Sequence, residues 1–407
     1  MKKQTLFNIV LIWLAWSIIL IGFMHFVADR VRPDRPDDAL MWSATETTIR
    51  SNNNKPYLSD PFFNELVAWD SEYYLSISIA GYDNLEMRSQ PEESLIQADG
   101  EAYHTSYAFF PLYPLMMRVV RIPFTPFLTP IAASTAAGIL ISLLGTLAGM
   151  IALYDIVRED LGEEGGLRAG FMMLIFPTSL FFAVIYTEGL FVGLAFSSLA
   201  LMRRKQLVIA AILAALATWT RATGGVLIVP LAFSWWMMYS KSENKSVILR
   251  QLPVVAFPLI AYGIWRYFNG VPFDFVQTHH FGNGFLAIEK TLRAWGGILV
   301  RANEFPETRM IVVLGIGSIL LSILSCALMA RKYPRLALFG FFALLIPLTG
   351  GWTMTQSGIR YVLVVPTLWV LLAYWSKHPV FERAWMLFSI LLLAIQAFLF
   401  SFDFWVA

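Results

Sequence analysis

Charge is scarce in this 407-residue chain and cysteine almost absent: Asp, Glu, Lys and Arg together make 14% of it, and Cys326 is the single thiol. One thiol excludes a disulfide-stapled scaffold. Cys326 lies in an apolar run and reads as a small packing residue. Thirty bases against 28 acids leave a formal charge of +2, too small a bias to nominate nucleic acid as a partner. Without a glycine repeat or a strong net charge, a collagen-like fibre and intrinsic disorder are excluded too. Phosphate-cradling Gly-rich loops, HExxH and a GxSxG elbow are missing, which disfavours soluble nucleotide chemistry. What is present in quantity is apolar: 57% of residues are hydrophobic, and mean hydropathy is +0.61. These values describe an all-α polytopic membrane protein.

Crossing the hydrocarbon core takes about 20 mainly apolar residues. The first such run is Leu6 to Val27, whose length and lack of a small-residue cleavage site predict a retained anchor, not a removable signal peptide. Further runs lie at 127–154, 168–186, 188–202, 206–220, 225–240, 247–268, 309–330, 336–350, 359–376 and 384–405, predicting about eleven spans. With the N-terminus inside, every inner connector is basic. They carry Arg158 and Arg168, then Arg203, Arg204 and Lys205, then Lys241, Lys245 and Arg250. Arg331, Lys332 and Arg335 follow, and finally Lys377 and Arg383. That bias fixes the expected orientation, with a cytoplasmic N-terminus. The whole chain, 1–407, then reads as one membrane domain: a first span at 6–27, an outer loop at 28–126, spans over 127–268, a second outer loop at 269–308 and spans over 309–405.

Acidity is concentrated in the first outer loop, where Asp29 to Glu101 hold 15 acids and 6 bases. Within it Asp60 can cap a helix with Pro61 in its first turn, and Gly81 can stop it. Leu66, Trp69, Tyr73 and Ile77 form one apolar stripe, with Asp70 at its edge. In the second outer loop Phe285, Ile288, Leu292, Trp295 and Leu299 share a face. Both segments predict helices lying in the membrane interface.

Placed on this topology, the unusual polar residues gather at one face. Asp70, Tyr186, Glu188, Arg221, His279, His280 and Arg360 all fall at the outer side. Ionisable groups at such depth are costly unless paired or bathed by a wet cavity, so they are site candidates. Taken singly, an interfacial Asp, Glu or Arg can equally just end a helix, and Trp69 can be an interface anchor. Adjacent histidines without an acidic cluster are weak evidence of a metal site. Tyr113, between Pro111 and Pro114, reads either as a shaper of an acceptor entrance or as part of a kinked re-entrant helix.

The stretches WDSEYYLSISIAGY (69–82), YAFFPLYPLMMRVV (107–120), FPTSLFFAVIYTEGLF (176–191), LATWTRATGG (216–225) and RYVLVVP (360–366) resemble, in order, motifs of the PIG-V mannosyltransferases. That is the GPI mannosyltransferase 2 family, within the GT-C glycosyltransferase superfamily. The resemblance implies a GT-C fold and an enzyme that takes a sugar from a polyprenyl or dolichyl phosphate carrier on the extracytoplasmic or lumenal face. It implies that Asp70 is the catalytic base of a single inverting displacement. Arg221, Arg360, His279 and His280 become candidates for the donor phosphate; Trp69, Tyr113, Tyr186 and Glu188 become candidates for contacting sugar or acceptor, or for orienting other groups. Glu188 is expected to orient an arginine or a hydroxyl.

No cofactor or metal is expected, since a lipid monophosphate donor arrives already activated and no acid cluster resembles an octahedral site. The expected partners are the lipid-phosphate sugar, a glycolipid or lipid-linked glycan acceptor, and membrane lipids. The compact length resembles a prokaryotic relative, for which a plasma-membrane location is expected, or the endoplasmic reticulum membrane for a eukaryotic one. The competing class is a lipid or glycolipid transporter or flippase. Against it, the polar groups gather at one face, and no inverted repeat is visible.

Overall fold

A computed structural model of the chain describes residues 3–31, 47–49, 56–58, 60–82, 95–96 and 102–406. It is all-helical but for two small antiparallel pairs, Thr47–Ile49 with Pro56–Leu58 and Leu95–Ile96 with Ala102–Tyr103. The helices are α1 (Lys3–Val31), α2 (Pro61–Asn64), α3 (Asp70–Ala80), α4 (Leu112–Val120) and α5 (Pro130–Leu174). Next come α6 (Glu188–Arg203), α7 (Leu207–Thr220), α8 (Ile228–Lys241), α9 (Lys245–Leu249) and α10 (Phe257–His279). The last are α11 (Ile288–Glu304), α12 (Pro306–Met329), α13 (Pro334–Leu348), α14 (Thr353–Tyr361), α15 (Pro366–Trp375) and α16 (Pro379–Phe400).

The protein is an integral, multi-pass membrane protein, and of the about eleven spans expected from the apolar runs only some are helices of full membrane-crossing length. Among the described residues six helices are long and apolar enough to cross a bilayer, or seven if the bent pair 357–364 and 366–375 counts as one. The surplus came from counting apolar runs without their helical lengths. At 1.5 Å per residue, α6, α7 and α13, with 16, 14 and 15 residues, fall short of the roughly 30 Å hydrocarbon core. The run at 168–186 is not one helix either: α5 ends at Leu174, and a 3-10 turn occupies Ser179–Phe182.

Three chain breaks shape the interior. Within α5, Gly162 has φ +75°, and the chain doubles back there, so that Gly166 packs on Tyr154 and Gly170 on Met150. The basic turn expected between Arg158 and Arg168 is this reversal. In α10, Pro272 cannot donate a backbone hydrogen bond, and Asn269 leaves the helical region at φ −130°. The third break separates α14 from α15 by an 86° bend. Val365, preceding Pro366, takes the extended conformation (φ −89°, ψ 100°) that proline imposes on its neighbour.

The closest packing joins α5 to α6. Gly145 and Gly149 on one helix face Gly189 and Gly193 on the other, and a Cβ on Gly189 would collide with the Ser142 carbonyl. Small residues four apart let two helix backbones touch, which in a membrane is a main source of association. This contact fixes Glu188, the first residue of α6.

The acidic-loop helix departs from the sequence expectation. Asp60 does cap α2 by accepting from the Phe63 N–H, with Pro61 in the first turn, and Gly81 at φ +88° ends α3. Between them the chain breaks at 65–69, so there are two helices in place of one. Nor is α3 an interfacial amphipathic helix: Ser71, Glu72, Tyr74, Leu75, Ser76, Ile77 and Ser78 are all buried. By contrast, α11 leaves Ile288, Leu292 and Leu299 exposed, as an interfacial helix would.

Candidate active site

The break before α3 puts Asp70 at the first position of a helix, where the helix dipole favours its carboxylate. Trp69, immediately before it, has φ 58° and ψ −115°. That is the mirror image of an ordinary extended residue and suits glycine; for a tryptophan it costs on the order of 1–3 kcal/mol and must be held by its surroundings. Trp69 packs edge-on against Trp405, with ring centroids 4.9 Å apart. The Tyr186 hydroxyl accepts from the Asp70 N–H and donates to the Ala68 carbonyl, both at 3.2 Å. At the other end of α3, Arg118 donates to the Ser78 and Ile77 carbonyls, at 2.8 and 3.1 Å, closing the C-terminus.

Two carboxylates, Asp70 and Glu188, alternate with two arginines, Arg360 and Arg221. Arg360 Nη1 donates to Asp70 Oδ2 at 2.9 Å, and its Nε lies 3.5 Å from Glu188 Oε1. The same Glu188 oxygen accepts from Arg221 Nη1, which also donates to Thr187 Oγ1 at 3.4 Å. Glu188 is 1% exposed at its side chain and Arg360 7%, against 22% for Asp70. The acid with access to solvent is therefore Asp70, while Glu188 neutralises the arginines from behind. Aromatic faces hold the cations in place: Arg360 lies over Tyr186, Phe181 and Tyr361, and Arg221 also over Tyr361. Burial, reinforced by the Asp70 charge, pushes the Tyr74 phenol well up, so it stays a neutral hydrogen-bonding group.

This cluster forms one wall of a cavity of about 450 Å³. Asp70, Tyr74, Arg221 and Arg360 line it on that side. The C-terminal part of α10 also lines it with Phe273, Asp274, Gln277 and Thr278, and Phe109, Phe110 and Tyr262 add aromatic surface. The arrangement can hold an anion against two guanidinium groups, present one carboxylate to a bound hydroxyl, and stack an apolar or sugar ring.

Of the residues expected from sequence, Asp70, Arg221 and Arg360 meet at the cavity, and Glu188 orients both arginines from beneath. Trp69, Tyr113 and Tyr186 are placed behind the wall. Tyr113 is fully buried, its hydroxyl bonded to the Gly138 carbonyl at 2.9 Å and to Ser142 Oγ at 2.8 Å, so it packs the support and shapes no entrance. His279 and His280 do not join the cluster. Neither lines the cavity; His279 is exposed, stacked on Phe275 with centroids 4.3 Å apart, and His280 sits edge-on to Phe281. Tyr74, Asp274 and Gln277 were missed by sequence reasoning. The signal was there for the last two, as polar residues three apart in the otherwise apolar stretch 271–277. Among the described residues no group of three or more His, Cys, Asp or Glu is placed to hold a metal ion.

Comparison with known proteins points the same way as the motifs. The family model described as Mannosyltransferase (PIG-V) matches residues 94–262, a segment that includes Glu188 and Arg221 but not Asp70 or Arg360. The GPI alpha-1,6-mannosyltransferase 2 of Homo sapiens is 27% identical over 220 residues, 52% of this chain and 39% of that protein. The Mus musculus enzyme of the same name is 27% identical over 211 residues, 51% of this chain and 38% of that protein. The aligned part thus spans well under half the length of these relatives. Among solved structures, ArnT from Cupriavidus metallidurans bound to undecaprenyl phosphate aligns with a TM-score of 0.44 at 16% identity, covering 84% of this chain and 74% of ArnT. An oligosaccharyltransferase from Archaeoglobus fulgidus aligns with a TM-score of 0.46 at 15% identity, covering 96% of this chain and 53% of that one. By sequence, about half of the chain is similar to the PIG-V mannosyltransferases.

Proposed function

We propose that the protein is an inverting glycosyltransferase that moves a mannosyl residue from a polyprenyl or dolichyl phosphate carrier to a glycolipid or lipid-linked glycan on the extracytoplasmic face. The observation that carries this reading is the meeting of one cavity-lining carboxylate, Asp70, with two cavity-lining arginines, Arg221 and Arg360, in a chain that is similar in sequence to the PIG-V mannosyltransferases. Asp70 accepts the proton of the acceptor hydroxyl as that oxygen attacks the anomeric carbon. The bond from that carbon to the phosphate oxygen breaks on the opposite side, inverting the configuration. The departing lipid phosphate gains charge, which Arg221 and Arg360 offset with fixed donors. No residue forms a bond to the sugar, and no metal ion is required. The apolar helices hold the polyprenyl tail.

The test is incubation of the purified protein with radiolabelled polyprenyl-phosphate-mannose and a panel of glycolipid acceptors, with a chelator present. The expected result is an α-mannosylated lipid, and a loss of about 10²–10⁴-fold in rate for Asp70→Asn. Wild-type rates in that variant would remove Asp70 as the base. Lipid-phosphate binding without product from any acceptor would favour a transporter instead.

A further inference from the structure

We propose that Tyr186 is the positioning residue of this site: it sets the direction of Asp70 through the backbone, by holding Trp69 in a conformation that tryptophan does not choose. The proposal rests on the reading of Asp70 as the base. Tyr186 is 2% exposed and does not line the cavity, so it has no route to a sugar or acceptor. Its hydroxyl instead straddles residue 69, accepting from the N–H of Asp70 and donating to the carbonyl of Ala68. The peptide units on either side of the positive-φ residue are thereby tied to one atom. The ring does a second job, since the Arg360 guanidinium lies 5.3 Å from its centroid. One side chain thus touches both members of the Asp70–Arg360 pair, the hydroxyl on the acid's backbone and the ring on the cation.

Tyr186 is itself anchored. Ser142 Oγ donates to the Tyr186 carbonyl at 3.0 Å, and the ring packs on Phe181 and Phe400. Ser142 lies one turn before Gly145 on α5, at the point where α5 and α6 touch. A rigid helix contact is in this way connected through Tyr186 to the carboxylate. Catalytic geometry is sensitive to displacements of about 1 Å, which cost up to about 10²-fold in rate.

The experiment compares Tyr186→Phe, Trp69→Gly and the double variant, with Asp70→Asn as reference, in the full chain. Tyr186→Phe keeps the ring and its packing and removes only the hydroxyl. It is expected to lower kcat about 10- to 100-fold with donor KM unchanged, and to speed amide hydrogen exchange in the peptide containing Ala68 to Ser71. In the Trp69→Gly background, where the backbone adopts φ +58° freely, the Tyr186→Phe change is expected to cost several-fold less. Wild-type kcat and exchange in Tyr186→Phe, with Asp70→Asn inactive, would overturn the positioning role and leave the base assignment standing. Equal cost in both backgrounds would overturn the link through Trp69. Full activity in Asp70→Asn would remove the base and this proposal with it.

Discussion

Arg360 pairs with Asp70 from 290 positions away in the chain, Nη1 to Oδ2 at 2.9 Å, and does so from the first limb of a helix broken by an 86° bend. A continuous helix would satisfy its own backbone and pass the site by. The break lets an arginine end up deep in the protein beside a cavity, where non-helical backbone is tolerated in a membrane. The pairing also gives the cation two tasks, since the guanidinium that holds Asp70 is one of two available to a phosphate. Arg360→Ala is expected to do double damage. It strips a buried pair of one member, a loss of about 3–5 kcal/mol, and it removes a charge-assisted contact to the donor worth about 1.5–3 kcal/mol, or about 10- to 100-fold in donor KM. Arg221→Ala is expected to raise donor KM by a similar factor. Donor kinetics unchanged in both variants would take the phosphate away from this wall.

Glu188 separates support from chemistry. It is buried, and its Oε1 faces Arg221 and Arg360 together. Glu188→Gln keeps the shape but leaves two cations with one counter-charge, so the thermal unfolding midpoint in detergent should fall, with a stability loss of about 3 kcal/mol. An Asp70→Asn protein should unfold closer to wild type, because Asp70 is partly solvated. If Asp70→Asn proved the less stable of the two, the division between a structural and a chemical carboxylate would be wrong.

The histidine pair shows where sequence and structure part. Grouping polar residues by their side of the bundle brought together Asp70, Arg221, Arg360 and Glu188, because the apolar runs leave Asp70 in the first outer loop and put Glu188, Arg221 and Arg360 at the ends of spans. His279 and His280 end α10 at the same level. Which way they point depends on the Pro272 break, beyond which Asp274, Gln277 and Thr278 line the cavity and the histidines do not. Facing along a kinked helix is not legible from level alone. The span count failed for a related reason: apolarity was read correctly along α6, α7 and α13, but short helices packed inside a bundle are as apolar as full spans. The positive φ of Trp69 left no mark in the sequence either, since nothing local predicts a tryptophan where glycine fits.

From that placement follows an expectation for the histidines. His279→Ala and His280→Ala should each leave donor KM and kcat within about twofold of wild type, the size expected for substitutions away from a site. A donor KM raised tenfold or more by either change would return the histidines to the phosphate site, and would mean that the 279–285 segment moves inward when the donor binds.

The helix contact beneath the site gives the last test. A Cβ on Gly189 would meet the Ser142 carbonyl and Thr146 Oγ1, both fixed: the first is backbone, and the second is bonded to the Ser142 and Phe182 carbonyls at 2.8 and 3.0 Å. Since neither neighbour can swing aside, α6 must move off α5, and Glu188 and the Tyr186 carbonyl move with it. Gly189→Ala should therefore cost at least the 1–3 kcal/mol or so of ordinary overpacking, and should lower kcat as well, although residue 189 touches no cavity-lining group of the site. Gly263→Ala is the matched control: it also lies within a helix, α10, but nothing stands within 4 Å of the added Cβ. Alanine there should hold or raise stability, by up to about 1 kcal/mol. Equal thermal midpoints for the two variants would show that α5 and α6 do not touch at Gly189, and the support drawn from Ser142 through Tyr186 to Asp70 would lose its base.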